Sequence, residues 1–327
     1  MKNKEECSCP KVSVGGQALI EGIMMQGPKG AAMSVRVPDG SIDTEMMEVK
    51  HIRDKFKPAG FPLIRGIFNM VESLLFGFKC MEKSAEKAGI DDDTDPEKMS
   101  KLDKWISDHF GPKMMMVITT ISLILGMLLS FGLFVYLPTF LVDVFDKYIC
   151  KNALSEMHPL FEGIMRMAIF VLYVWLVSKI PDIKRVFMYH GAEHKSIFCY
   201  ENGLELTVEN VRKQKRFHPR CGTSFIFVIL IISIFISSAL VVIFPGIDDV
   251  RAVWMVIKIL IVPLTVGIGY EFIRYAGKHD NKFVRILSAP GLWMQRITTQ
   301  EPTDDIIEVG IEAIKAVLDD KAEDDTN

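Results

Sequence analysis

The sequence predicts a mainly α-helical membrane protein in which about four transmembrane helices carry a small α+β cytoplasmic domain. Two stretches of the 327-residue chain, Met114–Leu137 and Gly222–Ile247, contain no charged residue. A helix needs about 20 apolar residues to cross a bilayer core, so either stretch is long enough to do so. The mean hydropathy of +0.24 is also high for a soluble enzyme. Together these observations exclude a purely soluble protein.

The bounds of the four spans are predicted from apolar runs that end at prolines or charged residues. Span one, Met114–Leu137, is expected to end at Pro138. Pro263 lies inside span four and is expected to kink it, which neighbouring helices can tolerate. The other three predicted spans are Leu160–Ile180, Thr223–Phe244 and Ala252–Phe272.

Lys and Arg residues are distributed unevenly among the segments between these spans. The segment before span one holds 17, the loop 138–159 holds two, the loop 181–222 holds eight and the loop 245–251 holds one. Because loops rich in Lys and Arg stay in the cytoplasm, we expect a multi-pass protein of the cell membrane with both termini and 181–222 inside. Arg166 and Lys258 lie within spans two and four and are expected to snorkel toward the outer surface.

These boundaries divide the chain into five segments. The first hairpin of spans is 114–180 and the second is 223–272, and the loop 181–222 between them carries the His and Cys motifs. The cytoplasmic domain is expected to combine this loop with the N-terminal segment 1–113 and the tail 273–327. Each terminal segment contains one predicted amphipathic helix.

Local patterns predict the elements of this domain. A hairpin is predicted from Met33–Val37 and Ser41–Val49, with Pro38-Asp39-Gly40 as its turn. A further strand is predicted over Val14–Gly22, and Phe61–Ala88 is predicted to form an amphipathic helix in the membrane interface. One more helix is predicted in the tail, beginning at Thr303 or Asp304, with an apolar face that consists of Ile307, Ile311, Ile314 and Leu318.

The heptapeptide Tyr189–Lys195, with the sequence YHGAEHK, carries the most chemical information. Pro181-Asp182 marks a helix start, so His190 and His194 are expected on one helical face. Two neutral imidazoles at this spacing can hold one metal ion, and Glu193 is placed to act as the catalytic general base. The spacing H-x-x-E-H is that of the inverted zinc-peptidase motif. The alternative is a pair of structural histidines that are hydrogen-bonded to carbonyl groups.

A second group of metal-capable side chains lies at the cytoplasmic end of span three. His218 and Cys221 stand there in a tight turn bounded by proline and glycine. Both groups are expected near the same membrane face, which predicts a divalent ion held by His190, His194 and His218 or Cys221. Four protein ligands would make a closed structural site, whereas three would leave a position for water and permit hydrolysis. Zinc is the expected metal, since it suits His and Cys ligands.

Four further polar residues are additional candidates for the site: Gln17, Glu21, Glu271 and Arg220. Gln17 and Glu21 lie among glycines that would let a ligand or another backbone approach, although a solvated turn explains them equally. Glu271 ends span four on the cytoplasmic side, where an ordinary interface residue is the alternative. Arg220 is a candidate ion-pair partner of Glu193.

Several motifs, in order along the chain, resemble those of YqhQ-like bacterial membrane proteins, a family known as a domain of unknown function (DUF1385). The resemblance covers about residues 12–318. Members of this family are often labelled metal-dependent enzymes, so the resemblance implies a metal site on the His motifs and a bacterial membrane location. The motifs are 15–28, Pro62–Gly66, Tyr189–Lys195, His218–Ser224 and Pro290–Gln295.

The sequence thus favours a membrane-embedded, hydrolase-like, metal-dependent enzyme whose cytoplasm-facing site acts on a lipid-linked group or a membrane peptide. A non-enzymatic scaffold, regulator or transport component with a structural metal is the alternative. The formal charge of −3 argues against a nucleic-acid partner. The six cysteines are scattered and do not form a disulfide framework. The lipid bilayer is the expected partner, and association of several copies stays open.

Overall fold

The fold is seen in a computed structural model, which describes residues 14–49, 52, 56–89, 117, 120–151, 157–219, 221–247, 250–276, 279 and 281–318. The described chain is mainly helical, and it has a small antiparallel sheet near its N-terminus. Both features agree with the predicted fold class.

The sheet contains four strands in sequence order, and each pairs antiparallel with the next. The predicted hairpin is confirmed as the third and fourth strands, in which Ser34 faces Thr44 and their hydroxyl oxygens are 2.8 Å apart. The strands are β1 (Gly15–Leu19), β2 (Gly22–Gly27), β3 (Gly30–Arg36) and β4 (Ile42–Met47).

The single strand predicted over residues 14–22 is wrong in one respect, because the chain reverses at Ile20 and Glu21 to form β1 and β2. Glu21 adopts a φ of 51°, a left-handed conformation that is uncommon for residues other than glycine. The two turn residues are Ile20 and Glu21, not the Asn-Gly or Asp-Gly pair that is typical of a two-residue hairpin loop. Sequence patterns alone gave no reason to place it there.

Four of the helices are long and apolar enough to cross a membrane: α2, α3, α6 and α7. They correspond to the four predicted spans, and α3 leads directly into α4, the helix predicted after Pro181. The helices are α1 (Ile64–Lys87), α2 (Thr120–Ile149), α3 (His158–Val177), α4 (Pro181–Glu201), α5 (Val208–Arg212), α6 (Gly222–Ile243), α7 (Arg251–Ala276), α8 (Lys282–Thr298) and α9 (Asp304–Val317).

Pro138 does not end the first apolar helix as predicted, since α2 continues to Ile149. A proline has no N–H to donate to the carbonyl four residues earlier, which here belongs to Phe134. The chain forms a π-helical turn over Gly132–Tyr136 just before the proline, and Arg166 of α3 donates its Nε–H to the Phe134 carbonyl oxygen at 2.9 Å. A neighbouring helix thus satisfies the carbonyl that the proline leaves open.

The prediction that Arg166 and Lys258 extend toward the outer membrane surface is wrong. Both point into the helix bundle, where Lys258 is 8% exposed and lies 2.6 Å from a carboxylate oxygen of Glu162, which is 2% exposed. Arg166 Nη2 lies 2.6 Å from the other oxygen of Glu162. The pattern of a single helix does not show its partners on other helices, and buried charges on different helices stabilise one another when they pair.

The sheet, α4 and α9 share one apolar core. Ile306, Ile314 and Val317 of α9 pack against Ile23 and Met25 of β2, and further core residues come from α4. The apolar face of α9 follows the predicted spacing. Three segments that are far apart in sequence therefore form one unit beside the apolar helices.

Helix α1 connects this unit to the apolar helices, and its bounds are close to those predicted. Near its start, Gly66 lies so close to Tyr270 of α7 that a Cβ at position 66 would be 2.7 Å from that side chain. Near its end, Lys87 forms an ion pair with Asp43 of β4 at 2.6 Å. Its apolar stripe is exposed, with Phe78 at 73%, as expected for a helix that lies in a membrane interface.

Candidate metal centre

The helix α4 and the start of α6 bring three metal-capable side chains together. His190 and His194 lie one turn apart on α4, and Cys221 is the N-cap residue of α6. One ligand atom from each residue lies within 4.8 Å of the other two. His194 and Cys221 are buried and His190 is half-buried. The predicted helical face is therefore the face that meets the Cys motif.

Backbone carbonyl groups orient both imidazole rings. Nδ1 of His190 lies 2.8 Å from the carbonyl oxygen of Thr298, and Nδ1 of His194 lies 2.5 Å from that of Arg216. A ring that donates its Nδ1–H in this way presents Nε2 as the acceptor. Nε2 of His190 lies 3.1 Å from the sulfur of Cys221. Metal-binding histidines are oriented by the same kind of carbonyl contact.

Nε2 of His194 is buried and has no hydrogen-bond partner among the described residues. Buried polar atoms without a partner are rare in native proteins and call for an explanation such as an ion. Burial also lowers the pKa of His194 well below its usual value, so the ring is neutral at physiological pH. Two imidazole nitrogens and one cysteine sulfur are a donor set that fits zinc.

Glu193 lies next to His194 in sequence and is 5% exposed. One carboxylate oxygen accepts a hydrogen bond from the backbone N–H of Gly16 in β1, while Oε2 has no partner among the described residues. Burial raises the pKa of Glu193 to about 8, although the charge of His190 acts in the opposite direction. The carboxylate is thus held beside the three-residue group without belonging to it.

Gly16 contacts Glu193, although the sequence pointed only to the group of glycines around Gln17 and Glu21. A Cβ at this position would lie 3.1 Å from the Glu193 carboxyl carbon and 2.7 Å from the carbonyl oxygen of Met24. Both contacts are closer than side chains normally allow, so the backbone of β1 reaches Glu193 only because residue 16 is glycine.

His218 does not join the group, although it was a candidate ligand. Its Nε2 lies 3.4 Å from a carboxylate oxygen of Glu201, and its ring packs against Phe198 at a centroid distance of 4.6 Å. Burial lowers the pKa of His218 to about 4. Three metal-capable side chains are therefore brought together among the described residues.

Gln295 and Gly191 support the site and were not singled out as candidates. The Gln295 amide accepts the N–H of His218 at 2.7 Å and donates to its carbonyl at 2.8 Å. A Cβ at Gly191 would lie 2.0 Å from the carbonyl oxygen of Gln300, so only glycine permits the segment after α8 to pass α4 there. The motif Pro290–Gln295 was the one feature of the sequence that pointed to Gln295.

The additional candidates lie elsewhere. The Glu21 carboxylate pairs with Arg185, whose Nη2 is 2.6 Å away, because the β1–β2 turn faces the start of α4. The amide of Gln17 lies against Gly77 of α1. Glu271 forms a bidentate ion pair with Arg65 of α1, since α1 packs along the end of α7. Arg220 lies outside the described residues.

Comparisons with known proteins place the chain in a family. The model of a family described as "Protein of unknown function (DUF1385)" matches residues 61–320. The chain is also 34% identical over 305 residues to "Uncharacterized protein YqhQ" of Bacillus subtilis (strain 168), which covers 93% of this chain and 92% of that protein. No solved structure matches the chain significantly. The chain therefore belongs to the DUF1385 family, as its motifs predicted.

Proposed function

We propose that this protein is a membrane-embedded, metal-dependent enzyme, hydrolase-like, with its site at the cytoplasmic face. The observation that carries the proposal is the buried Nε2 of His194, which has no partner among the described residues and lies in one group with His190 and Cys221. A divalent ion, zinc by its donor preference, would give this atom a partner.

Each residue of the group has a role in this proposal. His190, His194 and Cys221 would hold the ion, which supplies Lewis-acid chemistry and makes a bound water more acidic. The carbonyl groups of Thr298 and Arg216 fix the two imidazole rings. A bound divalent ion would lower the pKa of Glu193, and the ionised carboxylate would then accept a proton at Oε2. The Gly16 N–H would hold that carboxylate in place.

The position of the site supports a substrate that approaches along the membrane surface. Cys221 precedes the apolar span Phe225–Ile243 by four residues, which corresponds to roughly 6 Å of helix. The excess of Lys and Arg in the flanking segments supports a cytoplasmic location for this end of the bundle, in the cell membrane. A lipid-linked group or a membrane peptide is the substrate class that fits this position.

A metal-stapled scaffold, regulator or transport component is the second candidate. The group joins α4 of the sheet-containing unit to α6 of the apolar bundle, so an ion there would fasten one to the other. The carboxylate of Glu193 separates the two candidates, because a staple needs the three ligands but not a proton acceptor beside them.

The test is Glu193→Gln, with Glu205→Gln at an exposed position as the matched control. Both variants and His194→Ala are assayed for bound zinc and for complementation of a deletion strain. An enzyme predicts that Glu193→Gln retains zinc yet fails to complement, while Glu205→Gln does both. Full complementation by Glu193→Gln, together with failure of His194→Ala, would contradict the hydrolase and support the staple.

A further inference from the structure

Helix α8 presents an exposed apolar stripe beside an exposed basic one. Ile286 and Trp293 lie about two helical turns apart, and they are 73% and 50% exposed. Lys282 and Arg296 lie on the adjacent stripe, since they are four residues before Ile286 and three residues after Trp293. Both cations are exposed, and the helix contains no Asp or Glu. This face of α8 is therefore apolar on one side and positively charged on the other.

The opposite face of α8 packs against the rest of the protein. Val284, Met294 and Gln295 are buried there, and the Gln295 amide is hydrogen-bonded to the backbone of His218. The helix surface thus has a packed sector, an exposed apolar sector and an exposed basic sector. This division is typical of a helix in a membrane interface, where apolar side chains reach the acyl chains and Lys and Arg lie at the headgroups.

Both ends of α8 contact the same end of the apolar bundle. At its start, Phe283 packs against Phe272 near the end of α7, with ring centroids 6.0 Å apart. At its other end, α8 is hydrogen-bonded to His218 in the turn that precedes α6. The start of α6 and the end of α7 lie side by side, because a Cβ at Gly269 would be 3.0 Å from the Phe225 ring. Helix α8 therefore lies across this end of the bundle.

Composition and charge favour an anionic lipid surface as the partner of the exposed face. Tryptophan is enriched where a membrane meets water, and Lys and Arg are attracted to anionic headgroups. Within the described part of the chain, neither Lys282 nor Arg296 forms an ion pair, so both charges are available to a partner. A second copy of the chain on the same face would bring like charges together, which is unfavourable.

We propose that the exposed face of α8 docks on the membrane surface and binds anionic lipid headgroups. Lys282 and Arg296 contact the headgroups, while Ile286 and Trp293 enter the acyl region. The proposal rests on the membrane placement of the apolar helices in the proposed function, but not on the metal. Because Gln295 lies on the packed side of the same helix, docking of α8 sets the candidate metal centre beside the lipid headgroups.

The experiment measures quenching of Trp293 fluorescence by brominated lipids in the full-length protein, reconstituted in bilayer nanodiscs. Trp105, Trp175 and Trp254 are changed to Phe, so that Trp293 is the one tryptophan of the chain, and circular dichroism verifies the fold. Both arms contain phosphatidylglycerol and phosphatidylcholine in equal amounts. The phosphatidylglycerol is brominated in the first arm and the phosphatidylcholine in the second. Their difference in quenching measures which lipid lies beside Trp293.

We expect stronger quenching in the first arm, with a preference for phosphatidylglycerol of at least about fivefold, since one cation near an anionic surface contributes about that factor. Lys282→Gln with Arg296→Gln should bring the preference within about twofold, because the attraction to the headgroups is lost. The control is Lys213→Gln with Lys315→Gln, which removes the same charge from exposed positions on α5 and α9. It should leave the preference unchanged.

A second chain, which keeps Trp175 as its one tryptophan, separates the possible failures. Trp175 is exposed on the apolar helix α3 and should be quenched in both arms if the bundle is embedded. Quenching of Trp175 but not of Trp293 would show that another protein surface covers α8, and equal quenching of Trp293 in both arms would show no preference for anionic lipid. Either result overturns the proposal. Quenching of neither residue would overturn it together with the membrane placement on which it rests.

Discussion

The side-chain amide of Gln295 is hydrogen-bonded to both backbone groups of His218, with distances of 2.7 and 2.8 Å. Gln295 is fully buried on α8, and His218 lies in the turn that supplies the Arg216 carbonyl and the Cys221 sulfur. This contact therefore holds two parts of the candidate metal centre at once. Thr298, three residues later on α8, supplies the carbonyl that orients His190.

Replacement of Gln295 should therefore weaken metal binding without removing a ligand. Loss of groups that orient ligands typically costs 10–100-fold in metal affinity, and we expect a loss of about this size for Gln295→Ala. Competition with a chromogenic zinc chelator measures the affinity. Gln300→Ala is the control, because the one hydrogen bond of that side chain to the described residues is a 3.4 Å contact to the Ile297 carbonyl. Equal affinities in the two variants would show that the turn holds its shape without Gln295.

Gly191→Ala should destabilise the protein, since the added Cβ would lie 2.0 Å from the Gln300 carbonyl oxygen. Overpacking of this kind costs about 1–3 kcal/mol. The free energy of unfolding in detergent, followed by circular dichroism, measures the effect. Gly126→Ala in α2 is the matched control, because no atom of the described residues lies within 4 Å of the Cβ position there. A stable Gly191→Ala variant would contradict the close passage of the segment after α8.

Glu271 should be dispensable for metal binding, because it pairs with Arg65 rather than with the His residues. We expect Glu271→Gln to retain full zinc content and to loosen the contact between α1 and α7. Limited proteolysis within α1 measures that loosening, and the double exchange Arg65→Glu with Glu271→Arg should reverse part of it. Zinc loss in Glu271→Gln, at unchanged proteolytic resistance, would instead make Glu271 a ligand.

Cys199 should resist alkylation in the folded protein. Its side chain is fully buried, and burial raises the pKa of the thiol to about 11. Since the thiolate is the reactive form, maleimide labelling at pH 8 should be slow until the protein unfolds. Mass spectrometry of labelled peptides measures this. Rapid labelling of Cys199 in native protein would contradict its burial.

The orientation in the membrane is tested with introduced cysteines, in a chain whose Cys7, Cys9 and Cys150 are changed to Ser. Asn202 is exposed beyond the end of α4, and Tyr148 is 73% exposed near the end of α2. We expect an impermeant maleimide to label Tyr148→Cys in intact cells, and Asn202→Cys only after permeabilisation. Labelling of Asn202→Cys in intact cells, and of Tyr148→Cys only after permeabilisation, would contradict the predicted orientation.

The four apolar helices and the His face could be predicted because each depends on a pattern within one segment. An uncharged run predicts α6, and a spacing of four residues places His190 and His194 together. The choice between His218 and Cys221 as the third ligand could not be predicted. Both are metal-capable and lie in one turn, and the packing of that turn on Gln295 and Glu201 brings the sulfur of Cys221, rather than the ring of His218, into the group with His190 and His194.

The backbone groups that contact His190 and Glu193 could not be predicted from the sequence, for a different reason. The carbonyl that orients His190 comes from Thr298, 108 residues away, and the N–H that contacts Glu193 comes from Gly16. Neither contact uses a side chain, so residue type carries little information about it. The ion pair between Glu162 and Lys258 was missed similarly, because a partner 96 residues distant cannot be recognised from one helix.

The central claim is that His190, His194 and Cys221 hold one zinc ion, and X-ray absorption at the zinc edge of the purified full-length protein tests it most directly. We expect stoichiometric zinc with two imidazole nitrogens at about 2.0–2.1 Å, one sulfur at about 2.3 Å and one further light atom. His194→Ala should lose the metal. A spectrum without a sulfur ligand, or zinc content unchanged in His194→Ala, would contradict the account.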